Sequence, residues 1–348
     1  MKKILMFTRT MGLGGTENVI LNICESLKND FDFTVISSGG VNVNKLNELG
    51  IKHYSVEDIS SNNLLLFIRN LNKIKKILKD ENFDIIHTHH RMAAFYISIL
   101  KPKALLYHTM HNTFNDKKFL TKWSLKKFII VPCGNTVKKN LIDVYGFSEK
   151  KIHLIENGVR STFYSEEIAE FEKIKNNGGK IFSFVGRLCE QKGIDELLKA
   201  WEFNRNTKSH LFIFGNGPLE KLVIDNSKKL LNVHYKGFTN NPLNVISESD
   251  CLILPSRWEG LPLTILESMS VKTQIICSNI SSNREIIDSD KLGYTYELGN
   301  TTSLFKLIES FSNNELKDTT SNAYNRFCEK YSFEAFIKKY KELYEGKI

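Results

Sequence analysis

The stretch Pro255-Ser-Arg-Trp-Glu-Gly-Leu-Pro-Leu-Thr-Ile-Leu-Glu267 sets two carboxylates eight residues apart around a glycine turn. Residues 250–255 before the turn form a short continuous apolar run, the pattern of a buried strand. Residues 262–270 after it carry apolar side chains at helical spacing, with Pro262 expected at the first helical position. Glu259 then sits in the loop at a helix N-terminus, where backbone amides and the helix dipole attract anions. A carboxylate is out of place there if phosphate alone binds. It fits a ligand with a phosphate for the amides and hydroxyls for the carboxylates, which is the make-up of a nucleotide sugar.

Other loops carry matching chemistry. Gly186-Arg187 ends one expected strand, and Lys192-Gly193 opens the helix after it. Arg and Lys five residues apart across such a loop suit two phosphates, one as a fork and one as a point charge. Alone, the pair reads as an ordinary solvated loop. Beside Glu259 and Glu267, expected at a later strand end of the same sheet, the phosphate clamp is the better reading. Met11-Gly-Leu-Gly-Gly-Thr-Glu17 follows the first expected strand but is no dinucleotide fingerprint, because position 17 holds Glu instead of Gly. Gly14 and Gly15 either let backbone approach a phosphate or sugar, or simply make a tight turn.

Histidines cluster in the first half at 87, 89, 90, 108 and 111. No carboxylate or cysteine accompanies them at ligand spacing, so a hydrogen-bonding role is expected and metal is not. His111, followed by Asn112 at a strand end, is the best placed to face a ligand, whereas His87 reads as a core residue. The basic run from Lys117 to Phe128 sets Phe119, Leu120 and Trp123 beside Lys117, Lys118, Lys122, Lys126 and Lys127. Two readings stay open for it: a helix lying on an anionic membrane, or an amphipathic helix whose Trp123 packs inward.

The elements that must position these residues alternate. Expected strands cover 2–8, 31–37, 51–56, 83–88, 104–110, 128–133 and 151–155, with helices at 16–27, 64–79, 92–100 and 136–145. Residues 161–180, polar and ending in Asn176-Asn-Gly-Gly179, read as a linker. A second alternation follows, with strands at 181–185, 210–214, 233–236, 251–254 and 274–278 and helices at 194–203, 219–230, 263–270 and 302–311. A last helix, 335–343, either caps the second domain or returns to the first. The fold class is therefore α/β, with two doubly wound, Rossmann-like domains facing across a cleft. The expected boundaries are 1–160, 161–332 and a C-terminal helical segment 333–348.

Residues 1–158 hold 23 Lys and Arg against 14 Asp and Glu, while residues 159–348 hold 25 of each. The whole excess of +9 thus belongs to the first half and calls for an anionic partner there. No run is long enough for a membrane span, and the N-terminus reads as a core strand rather than a signal peptide. Six scattered cysteines without a Cys-x-x-Cys pair fit buried thiols in a reducing cytosol.

Taken together, the chain resembles a family 4 glycosyltransferase of the GT-B fold over nearly its whole length. The resemblance rests on Gly14-Gly15-Thr16-Glu17, His111-Asn112, Asn157-Gly158-Val159, Gly186-Arg187 with Lys192-Gly193, Gly215-Asn216-Gly217-Pro218 and Glu259-x₇-Glu267. It implies that Arg187 and Lys192 bind the donor diphosphate and Glu267 the ribose hydroxyls. Glu259 would touch the transferred sugar, with the amides of Gly260 and Leu261 nearby, and His111 would lie near the reacting carbon. It further implies retaining, metal-independent transfer with no cofactor beyond the donor, a UDP-linked hexose or N-acetylhexosamine. The acceptor implied is a lipid-linked saccharide of capsule or exopolysaccharide assembly, handled in the cytoplasm at the inner face of the membrane, with no nucleic acid involved. Departures fall at Arg160, at Val271-Lys-Thr-Gln274 and at Ser281-Ser282-Asn283-Arg284-Glu285. Two other readings are a sugar-nucleotide epimerase of the same fold and a non-catalytic basic protein docked on membrane.

Overall fold

Short strands that are apolar on both faces can be covered only by helices on both sides, and this chain builds two such sheets. The computed structural model describes residues 1–161 and 166–348. Residues 162–165, part of the expected linker, lie outside the described residues. Two compact units result: Met1–Asn157 with Phe336–Ile348, and Gly158–Ala335.

The first unit runs β1 (Lys3–Phe7), α1 (Gly15–Leu27), β2 (Asp32–Ser37), α2 (Val43–Glu48), β3 (Lys52–Ser55), α3 (Leu64–Glu81), β4 (Ile85–Thr88), α4 (Arg91–Leu100), β5 (Leu105–Met110), α5 (Lys118–Ser124), β6 (Ile129–Pro132) and α6 (Asn135–Asp143). The second runs α7 (Ala169–Asn176), β7 (Lys180–Val185), α8 (Ile194–Trp201), β8 (Ser209–Phe214), α9 (Glu220–Ser227), β9 (Val233–Gly237), α10 (Pro242–Glu248), β10 (Cys251–Leu254), α11 (Leu263–Ser270), β11 (Gln274–Ser278), α12 (Ser281–Ile286), β12 (Tyr294–Tyr296), α13 (Thr301–Ser312) and α14 (Thr320–Lys330). Helix α15 (Phe333–Glu345) closes the chain.

The sheet orders are β3-β2-β1-β4-β5-β6 and β12-β11-β10-β7-β8-β9, all parallel. Counted within each unit, both follow the order 3-2-1-4-5-6 of the dinucleotide-binding fold. The order reverses between β1 and β4 and between β7 and β10, and ligands of such sheets bind beyond the carboxyl ends there. Helices cover the sheets with regular apolar stripes. In α8, Ile194, Leu197, Leu198 and Trp201 are all buried at i, i+3, i+4 and i+7, each worth about 1.5–3 kcal/mol relative to exposure.

Helix α15 belongs mainly to the first unit. Tyr344 bonds His87 Nδ1 at 2.7 Å, His87 Nε2 bonds Thr109 Oγ1 at 2.8 Å, and Tyr340 reaches the same Thr109 oxygen at 3.1 Å. Lys2 Nζ donates to the Tyr344 carbonyl at 2.8 Å. His87 is thus a core residue, as expected from its place in a strand.

Several expectations change. Residues 151–155 are only partly strand-like: a one-turn 3₁₀ helix occupies Glu149–Lys151, Ile152 forms a single bridge to Ile130, and the N–H groups of His153 and Ile155 donate to the β6 carbonyls of Ile130 and Pro132 at 2.9 and 3.3 Å. The expected linker contains α7, anchored by buried Phe171 against Phe212 with ring centroids 4.4 Å apart. Elements α2, α10, α12, α14 and β12 were not expected from the chain's pattern. The basic run 117–128 is not one helix: α5 has only seven residues, and Leu125 and Phe128 turn into the core. Four cysteines are buried, Cys189 is half-buried and Cys328 is exposed; all are free thiols. No helix among the described residues is long and apolar enough to cross a membrane.

Burial drives His87, His89, His90, His108 and His111 toward neutrality, with His108 and His111 each lowered to about 3. A histidine held neutral in the fold favours the unfolded chain once pH drops below its unfolded value near 6.5. The first unit should therefore lose stability steadily from pH 6.5 downward, on the order of 2 kcal/mol per buried ring by pH 5. Urea unfolding across that range, followed at a probe placed in this unit, checks it; a flat profile would contradict the neutral-histidine core.

Candidate functional site

The sequence-selected residues of the second unit meet at its reversal point. Gly186 and Arg187 follow β7, while Ser256 to Pro262 follow β10, its neighbour in the sheet. Two glycines let these loops close. Gly193 has φ +66°, and a Cβ there would stand 2.0 Å from the carbonyl oxygen of Pro255. Gly215 has φ +141°, and a Cβ would stand 1.9 Å from the carbonyl oxygen of Gly186. Only glycine permits either approach. The loop after β8, which includes Gly217, is laced to the β7 loop by Leu188 N to Asn216 O and Leu219 N to Leu188 O, each 2.9 Å.

The β10 loop is strapped in turn to the start of α8. Arg257 forms two 2.8 Å bonds with the carboxylate of Asp195, and its backbone N–H donates to Gln191 O at 2.8 Å. Gln191 Nε2 returns a bond to Trp258 O at 3.0 Å. This fork-to-fork pair holds the loop's backbone, and with it Glu259, over the α8 turn.

Glu259 is buried. One of its oxygens accepts from Lys192 Nζ at 2.6 Å and from Ser256 Oγ at 2.7 Å. Behind it, Ser278 Oγ donates to Ser256 O at 2.5 Å, and Asn283 Nδ2 donates to Ser278 O at 2.9 Å. Ser256, Ser278, Asn283, Asp195 and Arg257 were not singled out in the sequence. Ser256 and Arg257 lay inside the motif itself, but nothing in the chain's pattern pairs Asp195 with Arg257 across sixty residues. Gly260 and Leu261 are buried just beyond Glu259.

Pro262 is the residue before α11 rather than its first residue, and α11 has no side-chain cap. Ile265 N–H donates to Pro262 O at 3.2 Å, which leaves the amides of Leu263 and Thr264 for water or a ligand. Glu267 lies in the second turn of α11. Desolvation pushes its carboxyl up to about 7, with Lys192 pulling the other way. Lys192 thus acts on both glutamates. Arg187 is exposed, and its guanidinium makes no hydrogen bond or ion pair among the described residues, leaving its whole fork available.

In the first unit, Gly14 caps α1 in extended backbone and Gly15 is its first helical residue. A Cβ on Gly14 would meet only the movable end of Glu17, whose carboxylate accepts from Thr10 Oγ1 at 2.7 Å. The loop is held from below by Asn42 Nδ2 to Gly12 O at 2.5 Å. His111 follows β5 and stacks on His89, with centroids 5.2 Å and planes 23° apart. His89 Nδ1 and His111 Nε2 are 3.0 Å apart, so one of them donates and the other accepts. This leaves His111 Nδ1 as its free ring atom. Lys117, Lys118, Lys122, Lys126 and Lys127 flank α5, and Trp123, partly exposed, packs its ring 5.7 Å from that of Phe95.

The departures at Arg160 and Gln274 have structural partners. Arg160 stacks over Phe333 at 4.4 Å. Gln274 Oε1 accepts from the backbone and hydroxyl of Thr319, each at 3.2 Å.

Two Rossmann-like units, each with chemistry-bearing loops at its reversal point, define the GT-B class of glycosyltransferases. Residues 165–329 match the profile of glycosyl transferases group 1, and residues 13–163 match that of glycosyltransferase family 4. The chain belongs to glycosyltransferase family 4. Among its relatives is the UDP-Gal:α-D-GlcNAc-diphosphoundecaprenol α-1,3-galactosyltransferase of Escherichia coli, 26% identical over 95% of this chain and 94% of that one. The capsular polysaccharide biosynthesis glycosyltransferase CapH of Staphylococcus aureus is 25% identical, covering 82% of this chain and 84% of its own. The crystal structure of Anabaena Alr3699/HepE in complex with UDP-glucose matches at TM-score 0.86 and 15% identity, over 99% of this chain and 100% of that one.

Two expectations follow for the unliganded protein. Lys192→Met leaves the buried Glu259 carboxylate with Ser256 alone and should destabilise the second unit by about 2–4 kcal/mol. Adding Glu259→Gln should restore most of that, as guanidinium unfolding of the single and double variants would register. Glu267, with a folded-state value above its unfolded one, stabilises least at high pH. Its contribution falls as pH rises from about 4.5 to about 7. Glu267→Gln should therefore match the parent at pH 4 and gain on the order of 2–3 kcal/mol at pH 8. Equal stability differences at both pH values would refute the raised carboxyl.

Proposed function

We propose that this glycosyltransferase moves a hexose or N-acetylhexosamine, with retention, from a UDP-linked donor to a lipid-linked saccharide in capsule or related polysaccharide assembly. The observation that carries the reading is the Lys192–Glu259 pair beside Glu267, at the uncapped start of α11. One cation, one hydrogen-bonded carboxylate, one carboxyl near neutrality and the uncapped amides of Leu263 and Thr264 match the parts of a nucleotide sugar. The names of the Escherichia coli and Staphylococcus aureus relatives support the donor type and the acceptor class.

In this reading the donor diphosphate competes for Lys192 and draws it from Glu259, while exposed Arg187 closes on the second phosphate. Glu259, still held by Ser256, then accepts a hydroxyl of the transferred sugar, near the amides of Gly260 and Leu261. Glu267 accepts the ribose hydroxyls as a carboxylate, and His111 serves the sugar near the reacting carbon through its free nitrogen. Gly14, Gly15, Gly186, Gly215 and Gly217 keep side chains away from the donor's path. The bond from the anomeric carbon to the diphosphate oxygen breaks as the acceptor hydroxyl attacks the same face. The hydroxyl's proton passes to the departing phosphate oxygen. No residue here is assigned as a covalent nucleophile, and no metal or further cofactor is assigned a step. The cations and the α11 amides stabilise the leaving group. The acceptor's lipid brings the reaction to the cytoplasmic face of a membrane.

The test is transfer from a panel of nucleotide sugars to a lipid-linked acceptor, with the product's anomeric configuration read by NMR. Arg187→Ala and Glu267→Ala should each lower kcat/KM by about 10²–10³-fold. Donor affinity should rise as pH increases through about 7, because Glu267 must ionise to accept two hydroxyls. Normal turnover in both variants, an inverted product, or free epimerised donor without acceptor would each sink the assignment.

A further inference from the structure

Helix α3 breaks the usual rule for a surface helix. Its buried side is set by Asn70, Ile74 and Ile77. With about 3.6 residues per turn, the opposite stripe runs through Leu65, Ile68, Asn72, Lys75, Lys76 and Lys79. Leu64, Leu65 and Ile68 are 69%, 68% and 45% exposed. Asn63 accepts from the N–H groups of Leu65 and Leu66 at 2.9 and 3.3 Å, fixing this apolar first turn in place. The leucines are therefore held outward by a capped helix.

They are not isolated. Phe67 of α3 lies 6.1 Å from Phe95 of α4, and Phe95 lies 5.7 Å from Trp123 of α5, measured between ring centroids. On α5, Phe119 is 85% exposed and Trp123 43%. Three neighbouring helices are thus linked through a chain of aromatic rings. Charge along them is one-sided, the carboxylates of α3 being confined to Asp80 and Glu81 at its C-terminal end. From Leu64 to Lys79, and throughout α4 and α5, the chain has cations and no Asp or Glu. The nearby Asp116 is already paired with Arg91 at 2.8 Å. Scattered exposed apolar residues need no explanation, but a set on helices joined through their aromatic rings and accompanied by lysines does.

We propose that this face, the first turns of α3 together with α5, is a docking surface for an anionic lipid bilayer. The inference rests on the lipid-linked acceptor proposed above and names the surface that brings the enzyme to it. It moves the docking element from the basic run 117–128, as read in the sequence, to α3 joined with α5. A second copy of the chain fits less well, since both partners would bring the same cations to the contact. Acidic head groups complement those cations while the leucines, Phe119 and Trp123 enter the interfacial region and the lysine stems snorkel.

Co-sedimentation of the full chain with vesicles tests this, using phosphatidylcholine alone and an equimolar mixture with phosphatidylglycerol. The expected result is binding to the mixed vesicles, weakened by salt, and little to phosphatidylcholine. Leu65→Ser with Ile68→Ser should lower that binding about tenfold or more. Lys75→Gln with Lys76→Gln should also weaken it. Both double variants should keep the parent's circular dichroism and its transfer to a short, water-soluble acceptor analogue. Unchanged vesicle binding in both double variants overturns the proposal. So does a dimer, seen by sedimentation velocity, that Leu65→Ser with Ile68→Ser abolishes while the parent ignores vesicles. Transfer without vesicle binding defeats the surface but leaves the enzymatic reading standing. Vesicle binding as expected with no transfer from any donor defeats the enzymatic reading and leaves the surface.

Discussion

The approach of the Pro255 carbonyl to Gly193 is the contact on which the second unit's site depends. It brings the loop after β10 down onto the turn before α8, at a distance no side chain at position 193 would allow. Everything chemical then follows from that closeness. Arg257 reaches Asp195, Lys192 reaches Glu259, and the same lysine acts on the carboxyl of Glu267. The matching approach of Gly215 to Gly186 fixes the loop that carries Arg187. Rigid strands deliver the loops to one place, and missing β-carbons let them meet.

Electrostatics in the two units are tuned in opposite directions by the same cause. Burial holds the histidines near β4 and β5 neutral, so that His111 offers a hydrogen bond and no charge. Burial also holds the Glu267 carboxyl near neutrality in the unliganded protein. Glu259, more deeply buried, is held instead by hydrogen bonds from Lys192 and Ser256. Two glutamates in one motif thereby acquire different character from their surroundings. The buried hydrogen-bond line from Asn283 through Ser278 to Ser256 keeps that difference in register.

Charge is distributed between the units more unevenly than the halves of the chain suggest. With residues 336–348 included, the first unit holds 27 Lys and Arg against 16 Asp and Glu, and the second holds 21 against 23. That returning segment, with four lysines and two glutamates, therefore adds to the positive field of the unit whose α3 and α5 expose apolar side chains. Its tyrosines meanwhile complete the bonding of His87, so one C-terminal segment serves both packing and charge.

Much was legible along the chain because the relevant signals are local. Continuous apolar runs announced most strands, i, i+3, i+4, i+7 stripes announced α1 and α8, and the spacing of Glu259 and Glu267 around a glycine turn announced the chemistry. Elements such as α7, α12 and α14 were illegible because their sequences are mostly polar, and only contact with the rest of the fold buries their few apolar faces. Residues 151–155 read as a strand and do bond along β6, but the 3₁₀ turn takes Lys151 and the pairing amounts to one bridge at Ile152. The run 117–128 looked like one amphipathic helix, but the core claims Leu125 and Phe128. Residue type and spacing were enough to establish two doubly wound domains and to point to loops suited to a phosphate-bearing, hydroxyl-rich ligand. Tertiary structure alone decided that Lys192 rests on Glu259, that Asp195 clamps Arg257, and that α3 presents leucines outward. Those facts depend on which distant side chains share a small, desolvated volume, and spacing along the chain does not encode that.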